Sequence, residues 1–253
     1  MANKAYFVTG NEQRSLAGVF LENLLCQRRL DNGFPLFIES GNGFLPNGAA
    51  RKKMKERALR AFDWLPGLDI ALLPMERAKD LAADGRKAET RLAEERFTDA
   101  FLYDDVNRDT LPLLALCDYL IVLLKSDVYA AGFIYKLLKL LNEGHLPLKT
   151  LVVLSGVPYI EEAALSFKRY RDELQGMLGE RPDVQFGGFF PIDAGYLAHA
   201  AQVNLPCVKV FPDTAFQGAI KYVNRSLDGL ENHIRDLPFL YALGKLKKNA
   251  PPA

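Results

Sequence analysis

The segment Gly10-Asn11-Glu12-Gln13-Arg14-Ser15 follows a short apolar run, Ala5–Thr9, and leads into a stretch where Leu16, Val19, Phe20, Asn23 and Leu24 fall near one helical face. A strand–turn–helix of this kind offers the free N–H groups of a helix N-terminus to an anion. Holding a nucleotide's phosphates there takes glycines, so that backbone can approach closely, and a lysine for the terminal phosphates. Gly10 supplies one glycine, but Glu12 brings negative charge to the same place, and no lysine occurs between Lys4 and Lys52. Arg14 is the cation at hand, longer and forked where lysine is compact, and Ser15 is the hydroxyl at hand. A plain strand-to-helix turn accounts for the same residues.

Two further places could hold chemistry. Asp104 and Asp105 close the run Asp99–Asp104 (DAFLYD), and an acid at a strand end can hold a magnesium ion beside a phosphate. Adjacent strand residues point to opposite faces, so the two acids are not equivalent ligands. Capping of a helix that starts near Asn107 or Asp109 explains them equally well. Glu39, closing Pro35–Glu39, is a second acid at the same mouth. Ser155 has no histidine near it in sequence, so it forms no recognisable nucleophile–base pair. Cys26, Cys117 and Cys207 show no C-x-x-C spacing, and His145, His199 and His233 are too scattered for a zinc pattern.

The elements that must position these residues alternate between strand-like and helix-like. Strands are expected at Ala5–Thr9, Pro35–Glu39, Leu68–Leu73, Asp99–Asp104, Tyr119–Leu124, Leu148–Leu154 and Val184–Phe190. Helices are expected at Ala49–Leu65, Ala130–Asn142, Ile160–Leu178, Ala194–Ala201 and Thr214–Leu227, with Met54, Leu59 and Phe62 inward on the first of these. The charged run Glu76–Glu95 reads as one or two solvated helices interrupted near Gly85. Continuous apolar strands between helices are strands covered on both faces, hence an α/β fold with a doubly wound, mainly parallel sheet. Ligands bind such sheets at the carboxyl ends of the strands, which singles out the loops after Thr9, Glu39 and Asp104. With no internal repeat or low-complexity linker, residues 1–229 are expected to form one domain and residues 230–253 a tail.

Composition narrows the class. The chain has 253 residues, and 32 Lys+Arg against 31 Asp+Glu leave a net charge of +1. That balance gives no whole-chain attraction to nucleic acid. The densest basic run, Arg51-Lys52-Lys53 with Lys55 and Arg57, is spread around its helix axis and reads as a solvated face rather than a phosphate contact. An odd cysteine count argues against a disulfide framework. The start, Met1-Ala2-Asn3-Lys4, has no long apolar stretch, and no apolar run approaches the roughly 20 residues of a membrane span. A cytoplasmic protein is expected. In the tail, Phe239, Leu240, Leu243 and Leu246 follow 3/4 spacing beside Lys245, Lys247 and Lys248. Such a segment can lie on an anionic membrane from the inner side, or pack its apolar face on protein.

The order of motifs resembles the MinD/ParA superfamily of P-loop ATPases, and within it the FlhG-type regulators. The resemblance runs from about Lys4 to Leu227. It is carried by Cys117-Asp118-Tyr119-Leu120-Ile121-Val122, Lys136-Leu137-Leu138, Leu151-Val152-Val153, Phe189-Phe190-Pro191-Ile192-Asp193, Leu205-Pro206 and Phe211-Pro212. It implies that Thr9–Gly18 (TGNEQRSLAG) stands where the family has a lysine- and glycine-rich loop, with both lysines and most glycines missing. Asp104 matches the Walker B aspartate, and Glu39 stands where an aspartate is usual. Leu154-Ser155-Gly156 stands where an adenine-contacting asparagine is common. The resemblance therefore implies a vestigial nucleotide site of Gly10, Arg14, Ser15, Glu39 and Asp104, with Asp104 the metal side. No resident cofactor is expected, and ATP with magnesium only if the altered site still binds. The expected role is a non-catalytic regulator or scaffold working through protein partners, as a homodimer or with an active paralogue, in flagellar, polar or surface-machinery assembly. The alternatives are an atypical nucleotide-binding ATPase and a DNA-partition-type binding protein.

Overall fold

The computed structural model describes residues 4–39, 63–65, 70–75 and 97–230. Eight strands form one sheet: β1 (Lys4–Gly10), β2 (Pro35–Glu39), β3 (Asp63–Leu65), β4 (Ile70–Pro74), β5 (Asp99–Tyr103), β6 (Tyr119–Lys125), β7 (Lys149–Ser155) and β8 (Val184–Phe190). The helices are α1 (Arg14–Leu30), α2 (Leu111–Leu114), α3 (Ala130–Glu143), α4 (Ile160–Leu178), α5 (Ala194–Val203), α6 (Cys207–Val210) and α7 (Ala215–Asp228). The spatial order is β3-β4-β2-β5-β1-β6-β7-β8. Every pairing is parallel except β3 with β4, as expected of a doubly wound sheet.

β3 corrects the sequence reading. The helix expected over Ala49–Leu65 does not extend to its end, because Asp63, Trp64 and Leu65 pair antiparallel with Leu72, Ala71 and Ile70. Leu65 precedes Pro66, and the proline ring drives the residue before it out of the helical region into extended backbone. The rest of that helix, the basic run at 51–57, the charged run at 76–95 and the tail from Phe239 to Lys248 lie outside the described residues. Strand β5 stops at Tyr103, one residue short of Asp104, and α5 and α7 run slightly past their expected ends.

Side chains of β1 alternate between two cores, as the two-residue period of a strand requires. Ala5 and Phe7 join a cluster with Leu102, Leu120, Val122 and Val152, covered by Ile134 of α3 and Phe167 of α4. Tyr6 and Val8 join Phe101, Ile121 and Val153 on the opposite face, covered by Phe20 and Leu24 of α1 and Phe216 and Ile220 of α7. Tyr6 stacks between Phe101 and Tyr119 at centroid distances of 4.8 and 5.8 Å. A glycine is needed at Gly188, where φ is +131° and a Cβ would stand 2.7 Å from Val223 Cγ2. Together with the register shift between Val152 and Val153, it lets α7 lie directly on β8.

The amino end of the sheet carries an ionic cluster around the buried Arg28 and Asp99, with Asp228 reaching solvent. Arg28 of α1 donates through Nε and Nη2 to Asp99 Oδ2 at 3.2 and 2.6 Å. Through Nη1 it donates to Asn224 Oδ1 at 2.8 Å and to Asp228. Lys4 Nζ donates to the carbonyls of Leu227 and Leu230 at 3.2 and 2.8 Å. Burial opposes the charge on Arg28, but Asp99 and Asp228 outweigh it and its pKa rises. For Lys4, burial wins and the pKa falls.

Candidate functional site

The carboxyl ends of β1, β6 and β7, with the loop after β8, enclose a cleft of about 560 Å³. Gly10 ends β1 against β6 so tightly that a Cβ there would meet Leu123 O at 2.0 Å. The chain then turns through Asn11, whose Oδ1 accepts from Lys125 N at 2.7 Å. That bond continues the β1–β6 ladder with a side-chain oxygen in place of a backbone one and fixes the turn at the start of α1. Gln13 is the residue before α1 and offers no side-chain cap.

Glu12 stands just before the helix and bonds the residue ahead of its first turn rather than a helical N–H. Its Oε2 accepts from Gln13 N at 3.3 Å, and its Oε1 accepts from the hydroxyl of Ser155, the buried last residue of β7. A carboxylate therefore stands beside the N-terminus of α1, at the spot where a strand–turn–helix offers its N–H groups to an external anion. The chain supplies that negative charge itself. Lys125 stands exposed at the end of β6 and lines the same cleft with Ser126, Gly156 and Ile192.

The residues picked from the sequence divide between this cleft and its neighbour strand. Gly10 shapes the turn, and Ser15 lines the cleft. Arg14 lies within electrostatic reach of the Tyr103 hydroxyl, on the β5 side. Burial, then the charge of Asp105, raises the pKa of that hydroxyl, and Arg14 works the other way. Asp104 is half-buried; its N–H donates to Val8 O at 3.2 Å and its Oδ1 accepts from Asp105 N at 2.8 Å. Glu39 lies in backbone register with Tyr103 and Pro74, two strands from β1. The helix after β5, α2, has no side-chain cap at Thr110; in the turn before it Asn107 Oδ1 accepts from the N–H groups of Asp109 and Thr110 at 2.9 and 3.1 Å. Among the described residues no group of three or more His, Cys, Asp or Glu could hold a metal ion.

Sequence reasoning missed Asn11, Lys125, Ser126 and Ile192. It weighed Glu12 only as an unfavourable charge, and Ser155 as a nucleophile and as part of the stretch that stands where an adenine-contacting asparagine is common. Lys125 was visible as a cation ending an apolar run, but nothing in the sequence joins Glu12 to a partner 143 residues away. The three cysteines are free and buried; burial pushes the thiols of Cys26 and Cys207 up to about 11. No helix among the described residues is long and apolar enough to cross a membrane.

The chain is similar in structure to MinD, a cell division protein of Aquifex aeolicus, at a TM-score of 0.60 and 15% identity, covering 92% of this chain and 99% of that one. A chain of a MinC:MinD cell division protein complex from the same organism matches at 0.60 and 13%, covering 93% and 100%. A ParA family ATPase from Chlorobium tepidum matches at 0.56 and 14%, covering 89% and 98%. No family model matches the sequence, and neither does any curated protein sequence. At these identities the likeness is one of fold, and the chain has the MinD/ParA-type P-loop NTPase fold.

Proposed function

We propose that this chain is a non-catalytic protein of MinD/ParA type, a regulator or scaffold of the FlhG-like kind that acts through protein partners. The observation that carries the reading is Glu12. Its carboxylate lies at the N-terminus of α1, bonded to Ser155 and Gln13 N, in a loop that has no lysine to meet a phosphate. Charge-assisted contacts are the strong part of phosphate binding, and their stabilisation of the transition state drives phosphoryl transfer. A loop that carries an acid in their place opposes both. The MinC:MinD complex supports a partner protein as the mode of action for this fold. In this reading residues 1–229 form the domain and the tail makes any peripheral membrane contact. Flagellar, polar or surface-machinery assembly is the process, and a homodimer or a heteromer with an active paralogue is the assembly.

A second reading, nucleotide binding through an unusual site, draws on the open cleft itself and on the ATP complex of Cyanothece McdA, whose fold is similar. One experiment separates the two. The chain, purified without added nucleotide, is titrated with ATP, ADP and GTP plus magnesium by calorimetry, and inspected by mass spectrometry for nucleotide carried through purification. The expected result is no heat up to millimolar nucleotide and nothing carried through. Micromolar binding overturns the proposal and makes Arg14 and Asp104 the first residues to replace.

A further inference from the structure

The loops leaving β6, β7 and β8 hold a cluster of exposed apolar side chains. Val128 is 86% exposed, Tyr129 76%, Tyr159 67% and Ile192 45%. Lys125 pairs with Ser155, and Ser155 with Phe190, in parallel register, so the three loops leave the sheet side by side. They are also held in place. Gly156 N donates to Phe190 O at 3.0 Å. Ile192 Cδ1 comes within 3.7 Å of the position a Gly156 Cβ would take. Asp127 Oδ1 accepts from Tyr129 N at 2.9 Å. Leu165, 69% exposed, lies one turn of α4 beyond Glu161 and Glu162 and one turn before the exposed Lys168 and Arg169, so the acid-edged part of the face ends there. Large apolar side chains gathered on one fixed face, with polar groups around them, mark an interaction surface.

The loops at this cluster lean acidic, and the nearest cation on α4 is Arg169, which donates to the Tyr170 hydroxyl at 3.2 Å while that hydroxyl lies 3.0 Å from Ser126 Oγ of the β6 loop. The same loops and the first helical turns after them carry Asp127, Glu161, Glu162 and Asp193 against the single cation Lys125, and Glu12 stands in the cleft behind. Glu161 and Glu162 suit the N-terminus of α4, and their exposure leaves their outer oxygens to solvent or a partner. We propose that this face docks a basic segment of a protein partner, one in which Lys or Arg side chains alternate with Leu, Ile or aromatic residues. The inference rests on reading the chain as a partner-binding protein and names the chemistry of that partner. Charge complementarity selects it over the other occupants. An anionic membrane or a polyphosphate meets the acids unfavourably, and a second copy seated on the same face sets the acids of one chain against those of the other.

The test is selection from a random peptide library on the immobilised full chain, followed by anisotropy titration of the enriched peptide. Enriched peptides are expected to pair Lys or Arg with aliphatic or aromatic residues and to bind more weakly as salt is added. Tyr159→Ser and Ile192→Ser, both exposed and tolerable to the fold, each weaken binding about tenfold or more. The double reversal Glu161→Lys with Glu162→Lys abolishes it. No enrichment, enrichment of acidic peptides, or binding indifferent to these substitutions overturns the proposal. So does a dimer, seen by sedimentation, that Ile192→Ser dissociates, since the face then belongs to a second copy. Nucleotide calorimetry on the same preparation reads the underlying function separately: tight ATP binding would defeat the non-catalytic reading whatever the peptides do.

Discussion

At the amino end of the sheet Arg28 is shared among Asp99, Asn224 and Asp228, and the Arg28–Asp99 pair is buried while Asp228 reaches solvent. At the carboxyl end Lys125 stands exposed beside a cleft where Glu12 is held by Ser155 and Gln13 N. Both ends place charges at the junctions between strands and helices, yet they use them differently. The amino-end charges join α1, α7 and β5 and face one another, so their office is to fix the packing of those elements. The carboxyl-end charges open to solvent, next to exposed Ile192 and Tyr159, where a partner can reach them. A charge that already has its full set of partners inside the fold has nothing left to offer a ligand. The difference between the two ends therefore predicts which substitutions cost stability and which alter binding.

The largest effect is expected at the amino end. Asp99→Ala leaves the Arg28 guanidinium buried without its main partner, and breaking a buried pair from one side costs about 3–5 kcal/mol. Urea denaturation followed by circular dichroism should show a midpoint shift of that size, with peptide binding at the far end unchanged in the folded fraction. Gly10→Ala comes next. Its Cβ would press on Leu123 O, and overpacking of this kind costs about 1–3 kcal/mol. Gly176→Ala is the control, because a Cβ there meets nothing within 4 Å and alanine favours an exposed helix interior by about 1 kcal/mol or less. If the two alanine substitutions behave alike, the tight β1–β6 approach is not what shapes the turn.

Much of the fold was legible in the sequence because short, β-prone apolar runs such as Tyr119–Leu124 and Leu151–Leu154, alternating with amphipathic helical stretches, read as strands covered on both faces. Strand β3 was not, since three residues carry no period, and only the pairing with β4 makes Trp64 part of a sheet. The Arg28 cluster was invisible for a different reason. Its members lie 71, 196 and 200 residues from Arg28, and an arginine late in a helix looks like a charge favouring the helix C-terminus. At the candidate site, the position of Glu12 could be read from strand–turn–helix order. Its bond to Ser155 could not, because that contact exists only once β1, β6 and β7 lie side by side.

Two smaller effects refine the contrast. Burial raises the Cys26 and Cys207 thiols from 9.0 to about 11, so the fold favours their neutral form. Their contribution to stability is fully present below pH 9 and is lost as pH rises through about 11. Denaturant midpoints should fall over that window, and thiol reagents at mildly alkaline pH should modify neither cysteine until the chain unfolds. Asp193→Ala removes the cap of α5, where Oδ1 accepts from Tyr196 N at 3.0 Å, at a cost of about 1 kcal/mol. A loss well beyond that would mean that the rim of the cleft carries more of the fold's stability than its exposure implies.

The smallest expected change in stability comes from Glu12→Gln, and it bears most directly on function. The amide oxygen can still accept from Ser155, so the denaturant midpoint should move by no more than about 1 kcal/mol, the net worth of one hydrogen bond. What the substitution removes is the negative charge at the start of α1. With that charge gone, the helix N-terminus and Lys125 are free to attract an anion. Pyrophosphate should leave the thermal midpoint of the unaltered chain unmoved and raise that of the Glu12→Gln variant. The opposite pattern, stabilisation of the unaltered chain, would mean that Glu12 yields its place to phosphate and that the carboxyl end is a nucleotide site after all. Indifference in both would leave the missing lysine, rather than the added acid, as the reason the loop holds no phosphate.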